Sequence, residues 1–282
     1  MVLRGPSTRA YAEVLPTMAD TAGISKSSVS RHAMVASEAT LKRLSERRWD
    51  SVDILVIYID GLVVGDYHVI AAIDVDQGDH KHVLGLREGA TENADVVKAL
   101  LEDLAARSVA SDRRRLFVID GSRALRKAIN EVLGSSNPVQ RCRIHKARNV
   151  LSYLPEKELE RTRWVMKAAW KCNAEKGMTK LKQHAKWLEK SHPAAGSLLE
   201  GLEEIFTVRY LRLCARLRRC LSSTNLIENP HSGMWERTHN VKRWCDGKIV
   251  LRWLASAYLA TEKTFRRIQG CLAPAGNGVF PR

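Results

Sequence analysis

The chain has 282 residues, 45% of them apolar, and a formal net charge of +15 from 46 Lys and Arg against 31 Asp and Glu. It is long enough for a sizeable core and up to two compact units, and no apolar run approaches the ~20 residues of a bilayer span, so no membrane is expected. The basic excess points to a polyanion partner, nucleic acid first and an anionic membrane surface second. Six scattered cysteines, Cys142, Cys172, Cys214, Cys220, Cys245 and Cys271, form no paired framework and read as reduced thiols of a cytoplasmic protein.

Residues 1 to 49 read as basic and helical. Gly23 at a turn, Ser25 as N-cap and a polar helix from Lys26 to His32 with Val29 facing inward have the shape of a partial helix-turn-helix. Ser28 and Arg31 would then face a groove or phosphates. An ordinary capped surface helix fits this stretch equally well.

The next stretch organises the rest. Ile54 to Ile59 is an unbroken apolar run that ends at Asp60 and Gly61, and the pattern returns as Leu116 to Ile119 ending at Asp120 and Gly121. Short β-branched-rich runs bounded by turn signals predict strands buried on both faces, with each aspartate at a carboxyl end, where sites collect in α/β sheets. Glycine next to each carboxylate permits a sharp turn and the close approach of another group. Two such aspartates make a candidate metal site. An aspartate after a strand can also serve only as a helix cap. Asp60, however, leads into another apolar stretch, Leu62 to Val64, with no helix to cap, whereas at Asp120 the nearby Ser122 competes for the cap.

Between these two runs, Tyr67 to Val75 and His82 to Leu86 flank the turn-like Asp76 to Asp79 and predict an antiparallel meander. Thr91 to Ala106 has helical period in Val96, Val97, Leu100, Leu101 and Leu104. A helix over Ala124 to Leu133 and a short strand over Val139 to Cys142 follow. Residues 50 to 150 thus read as the first part of an α/β core. Residues 151 to 221 read as an all-helical insertion with a basic exterior, broken at Pro155 and Pro193, with Trp164, Trp170 and Trp187 expected in its core.

Residues 222 to 270 return to the core and carry a third carboxylate, and 271 to 282 read as a disordered tail. Asn225 as N-cap places Glu228 at the third helical position, a capping box that does not exclude a metal role. Three carboxylates converging on one point repel one another unless divalent cations lie between them. Pro230 falls at the fifth helical position, at a cost of about 3 kcal/mol in a helix interior and with a kink expected near Glu228.

Several segments together resemble the Mutator-type transposases of bacterial insertion sequences. They are YIDG (Tyr58 to Gly61), HKHVLGLREGATEN (His80 to Asn93), LFVIDGSRAL (Leu116 to Leu125), VQRCRIHKARNVL (Val139 to Leu151), STNLIEN (Ser223 to Asn229) and NVKRW (Asn240 to Trp244). The resemblance runs from about Arg4 to Gly270. It implies an α/β, ribonuclease H-like mixed sheet with a helical insertion before the glutamate. It also implies a DDE triad of Asp60, Asp120 and Glu228, binding Mg²⁺ or Mn²⁺ and catalysing DNA strand cleavage and strand transfer of a transposable element.

The partners implied are the terminal inverted repeats and target DNA, held by a homodimer or larger assembly in the nucleoid. The family's Cys or Asp followed two residues later by His is matched by Cys142 and His145, and His145 is expected to contact DNA. Lys146, Arg148, Lys242 and Arg243 are phosphate-contact candidates, each of which fits a solvated basic surface equally well. The start of the chain reads as an amino-terminal truncation relative to the family. Trp235 and Glu236 stand where relatives are typically arginine-rich, and together with Pro230 they raise a second expectation, a catalytically impaired DNA-binding remnant. A third is a metal-dependent nuclease that cuts without joining.

Overall fold

The run that begins at Ile54 does not stop at Asp60. In the structure, a computed structural model describing residues 26–109, 114–192, 197–211, 213–239, 241 and 243–268, β1 spans Ile54–Val64. A turn at Gly65, where φ is +59°, returns the chain as β2 (Tyr67–Asp76), and β3 (Lys81–Glu88) follows, each antiparallel to its predecessor. Two parallel strands complete the sheet: β4 (Leu116–Ile119) lies beside β1, and β5 (Val139–Arg141) beside β4. The order is β3-β2-β1-β4-β5. The predicted meander and the two later strands are thus present, and the later strands add in parallel to give a mixed α/β sheet.

Crossovers between the parallel strands are helical because parallel neighbours cannot be joined by a hairpin. α2 (Ala94–Ala106) is capped by Asn93, which accepts from the N–H groups of Asp95 and Val96; α3 (Arg123–Leu133) is capped by Ser122, which accepts from Leu125. These helices cover one face of the sheet, where Leu100, Leu101, Leu104, Leu125 and Ile129 pack on Ile57, Ile59, Ile70, Phe117 and Ile119. The opposite face, with Tyr58, Val64, Ile73 and Val118, is covered by α1 (Lys26–Ser45) and by two late helices described below. Successive strand residues point to opposite faces, so covering both buries the whole run from Ile54 to Asp60.

α1 is longer than the helix expected over Lys26 to His32. Its carboxyl end enters the core through Leu44, and Glu38 pairs with Arg252 at 2.7 Å. Gly23 and Ser25, the proposed turn and cap, lie outside the described residues, as does the stretch 271–282.

After β5 come α4 (Arg143–Ser152), α5 (Glu156–Lys171), α6 (Ala174–Glu189), α7 (Thr207–Tyr210) and α8 (Ala215–Cys220). Val150, Met166, Leu181, Leu188 and Phe206 form an apolar cluster of their own. Gly177 allows close packing there: a Cβ on it would lie 2.5 Å from the Phe206 ring and 2.7 Å from the Ala169 carbonyl. Trp170 and Trp187 pack against this cluster as expected, but Trp164 is 71% exposed, so its expected place in the core is corrected. Arg126 and Arg141 both reach Glu204, at 2.7 and 2.6 Å, and Arg123 reaches Glu200 at 2.6 Å, which ties the helices to α3 and β5.

The last two helices are α9 (Asn225–Thr238) and α10 (Gly247–Glu262). None of the five described cysteines is in a disulfide. No helix among the described residues is long and apolar enough to cross a membrane.

Candidate active site

Asp60 and Asp120 directly follow the last parallel pair of β1 and β4, Ile59 opposite Ile119, so two neighbouring strands deliver both carboxylates to one level of the sheet. Their settings differ. β4 ends before Asp120, and Gly121, with φ of +121°, turns the chain away at once. β1 continues, and Asp60 stays paired opposite Ala71 in the antiparallel ladder. The expectation that both aspartates end strands is therefore corrected for Asp60: it lies mid-strand, at the point where the parallel neighbour stops.

Asp120 is held by two bonds. Its Oδ1 accepts from the Ser122 N–H at 2.8 Å and its Oδ2 from the Thr91 hydroxyl at 3.3 Å. Thr91 is buried and also presses on the other glycine, since a Cβ at Gly61 would lie 3.2 Å from its Cγ2. One side chain from the loop before α2 thus touches both Asp-Gly sites. Sequence reasoning missed this residue; its only signal was its place inside the HKHVLGLREGATEN segment.

The third carboxylate arrives on α9, which packs against β1. Thr224, not Asn225, is the N-cap, so Asn225 is the first helical residue and Glu228 the fourth. The capping box expected between Asn225 and Glu228 is not formed: no side chain caps this helix end, and the Ile227 and Glu228 N–H groups reach the Thr224 carbonyl at 2.9 and 3.2 Å. The hydroxyl of Thr224 is engaged elsewhere. It donates to the Cys142 Sγ at 3.4 Å and lies 3.4 Å from His145 Nδ1. α9 runs on through Pro230, which is buried, to Thr238.

The electrostatics link these groups. Burial pushes Asp60 up to about 6; Asp120 and Glu228 push the same way, while His145 and the Gly61 N–H oppose them. His145 is pushed up to about 9, first by its hydrogen bond with Cys142, against burial, and then by the charges of Cys142, Asp60 and Asp120. Burial alone would raise the Cys142 thiol, but hydrogen bonds from His145 and Thr224 outweigh it and hold the thiol below its ordinary value. His145 therefore favours its cationic form within reach of the charges of Asp60 and Asp120.

A family model described as "Transposase, Mutator family" matches residues 1–267. The chain belongs to the Mutator family of transposases. It is 26% identical, over 209 residues, to a protein described as the transposase for insertion sequence element ISRM5 from Rhizobium meliloti (strain 1021). The match covers 72% of this chain and 50% of that protein, so the chain spans about half the length of the curated relative it matches.

In this Mutator-family chain the basic candidates disperse. Lys146 is buried, and its ammonium donates to the carbonyls of Ser197 and Glu200, so the expected phosphate contact is replaced by a structural one. Desolvation lowers it to about 8. Arg148, Arg31 and Arg243 are exposed on α4, on α1 and between α9 and α10. Ser28 lies in α1, its side chain outside the described residues, as is Lys242 altogether.

Two further residues stand close to the carboxylates without a sequence signal. The Tyr258 hydroxyl of α10 meets His231 Nδ1 at 2.5 Å, one turn beyond Glu228, and burial together with the charge of Asp60 pushes the tyrosine well above its ordinary range. Among the described residues no three His, Cys, Asp or Glu side chains are gathered tightly enough to hold a metal ion. What fits a hard divalent cation is the donor chemistry, a buried Asp60 whose carboxyl is pushed up by that burial and by the charges of the half-buried Asp120 and Glu228.

Proposed function

We propose that the chain is a DDE transposase on a ribonuclease H-like fold, cleaving DNA at the ends of an insertion sequence and joining the freed 3′ ends to target DNA. Asp60, Asp120 and Glu228 form its triad. The observation that carries this reading is the delivery of two aspartates by adjacent parallel strands beneath the first turns of α9, where the buried Asp60 feels both other carboxylates. The sheet order, three antiparallel strands followed by two parallel ones, supports the ribonuclease H-like assignment.

Mg²⁺ or Mn²⁺, held by the three carboxylates, would supply Lewis-acid activation of the attacking oxygen and stabilisation of the leaving 3′ oxygen. The chain's own residues prepare for that. Thr91 and the Ser122 N–H fix the rotamer of Asp120, and Cys142 ties the start of α9 to the end of β4. His145 places positive charge beside Asp60 and favours its ionised form, and the same charge suits a scissile phosphate. The exposed Arg148 and Arg243 are placed to meet the DNA backbone. A reaction on two element ends calls for a homodimer or larger assembly on the terminal repeats.

A strand-transfer assay with the element's own ends and Mg²⁺ tests the proposal. Joined product is expected; cleavage without joining would make the protein a nuclease, and binding with neither would make it a DNA-binding remnant. Asp60→Asn, Asp120→Asn and Glu228→Gln are each expected to abolish product while DNA binding persists. Full activity in any one of them removes that residue from the triad.

A further inference from the structure

Trp164 is the most exposed large apolar side chain among the described residues, at 71%. Charge changes sign along its helix, acidic before the indole and basic beyond it. The acidic residues of α5 all lie in its first two turns, at Glu156, Glu158 and Glu160, and from Arg161 to its end at Lys171 the helix has none. Lys167 and Lys171, both exposed, lie one and two turns beyond Trp164 on the same face; the exposed Glu160 lies on that face one turn before it, and Arg163, also exposed, projects beside that face. From Arg161 to Lys190 the chain carries nine basic residues against two acidic ones, nearly half of its whole net charge in a short helical hairpin.

The neighbouring tryptophan of the hairpin is treated differently. Trp187 packs on the helical cluster and is covered by Arg161, whose guanidinium carbon lies 4.0 Å from the ring centroid. Among the described residues no aromatic or cationic group covers Trp164. A bare aromatic face set among cations is the arrangement that receives unpaired bases, since any base can stack on the ring while neighbouring Lys and Arg hold its phosphates. In a fully paired duplex the base faces are covered by their neighbours, apart from the outer face of each terminal pair.

We propose that the Trp164 face of α5 is a single-stranded-DNA contact, a platform on which an unpaired base at a DNA end stacks while Lys167 and Lys171 hold the adjacent phosphates. This rests on the DNA-processing function proposed above and adds where, and in what form, the DNA end is held.

The test uses the full chain without divalent ion, so that nothing is cut. Fluorescence anisotropy compares a labelled duplex carrying a short 3′ single-stranded tail with a blunt duplex of equal length. Trp164→Ala is expected to lose about tenfold in affinity for the tailed DNA with little change for the blunt duplex, and Trp164→Phe to keep most of the preference. Equal affinity of wild type and Trp164→Ala for tailed DNA overturns the inference. So does a Trp164→Ala protein that sediments as monomer where wild type is dimer, which would make this face a contact between copies of the chain. Failure of the wild-type protein to bind either DNA removes the DNA-processing reading itself, a result distinct from both.

Discussion

Thr224 reaches Cys142 twice: its backbone N–H and its hydroxyl both approach the buried Sγ, at 3.3 and 3.4 Å. The Cys142 N–H in turn donates to the Ile119 carbonyl at 2.7 Å, immediately before Asp120, and its Sγ also accepts from the His145 N–H at 3.4 Å. One residue therefore sets the end of β4, through its backbone N–H, and the first turn of α4 and the start of α9, through its sulfur, against each other. Cys142→Ala leaves the Thr224 hydroxyl without this acceptor and is expected to cost about 1–2 kcal/mol of stability, with cleavage falling while DNA binding holds. Cys142→Asp keeps an acceptor at the N-cap and is expected to retain fold and activity. Thermal unfolding and cleavage rates of the three proteins check this, and an alanine variant equal to wild type in both refutes it.

Asp60 carries a pH dependence. Its folded value of about 6 lies above the ordinary carboxylate range, so the folded protein holds this proton more tightly than the unfolded chain and ionisation works against folding. In metal-free protein the stability gained by Asp60→Asn is expected to be absent below pH ~4, to grow as pH rises to ~6, and to level off above that at about 2–3 kcal/mol. Urea titrations of both proteins across this range measure it. A difference independent of pH would mean that Asp60 is not the strained carboxylate.

Lys146 and Arg148 sit two residues apart on α4 and turn to opposite surroundings, one buried and one exposed. Lys146→Met removes two charge-assisted bonds to the Ser197 and Glu200 carbonyls and is expected to cost about 2–3 kcal/mol, leaving DNA affinity as it was. Arg148→Ala is expected to do the reverse. Chemical denaturation and DNA-binding isotherms on both variants separate the two roles.

These cases show what the residues made legible and what they did not. The meander, both Asp-Gly sites and the two crossover helices follow from runs and periods that survive in any context. The position of Asp60 within its strand did not, because an apolar run shows burial and not which neighbouring strand stops first. Ser222, Ser223, Thr224 and Asn225 are all competent caps; Thr224 takes the position where it also bonds Cys142, a partner far away in sequence. Likewise a run of basic residues on α4 does not say which of them faces the helical unit. Thr91 had no local signal, since a lone threonine in a loop acquires its role only from the two glycine sites it touches.

Pro230 stands at the sixth position of α9, one further in than counting from an Asn225 cap predicts, and the helix passes it unbroken. The missing N–H still leaves the Leu226 carbonyl without its intrahelical donor. Pro230→Leu is expected to raise stability by about 1–3 kcal/mol and to raise Mg²⁺-dependent cleavage. Equal cleavage before and after shows that α9 presents Glu228 correctly with the proline in place, and disposes of the impaired-copy reading.

If the proposed DNA partner is right, the charge of +15 makes the affinity a matter of counterions. Log affinity is expected to fall linearly with log salt, by about 0.9 for each phosphate contacted, and terminal-repeat and random duplexes are expected to differ little. Binding isotherms for both across a salt series measure the slope; a strong preference for the repeat that survives high salt contradicts it.

The helices between β5 and α9 leave and rejoin the sheet at a single corner, where the Arg143 N–H bonds the Ser222 carbonyl at 3.0 Å. Exit and re-entry are clamped together, so the excursion behaves as a handle whose reach is independent of the grip. Insertions or deletions along it would move the basic surface nearer to or farther from the carboxylates while leaving the spacing of Asp120 and Glu228 untouched. In the proposed transposase the chemistry and the length of DNA that must be spanned to reach it can therefore vary separately.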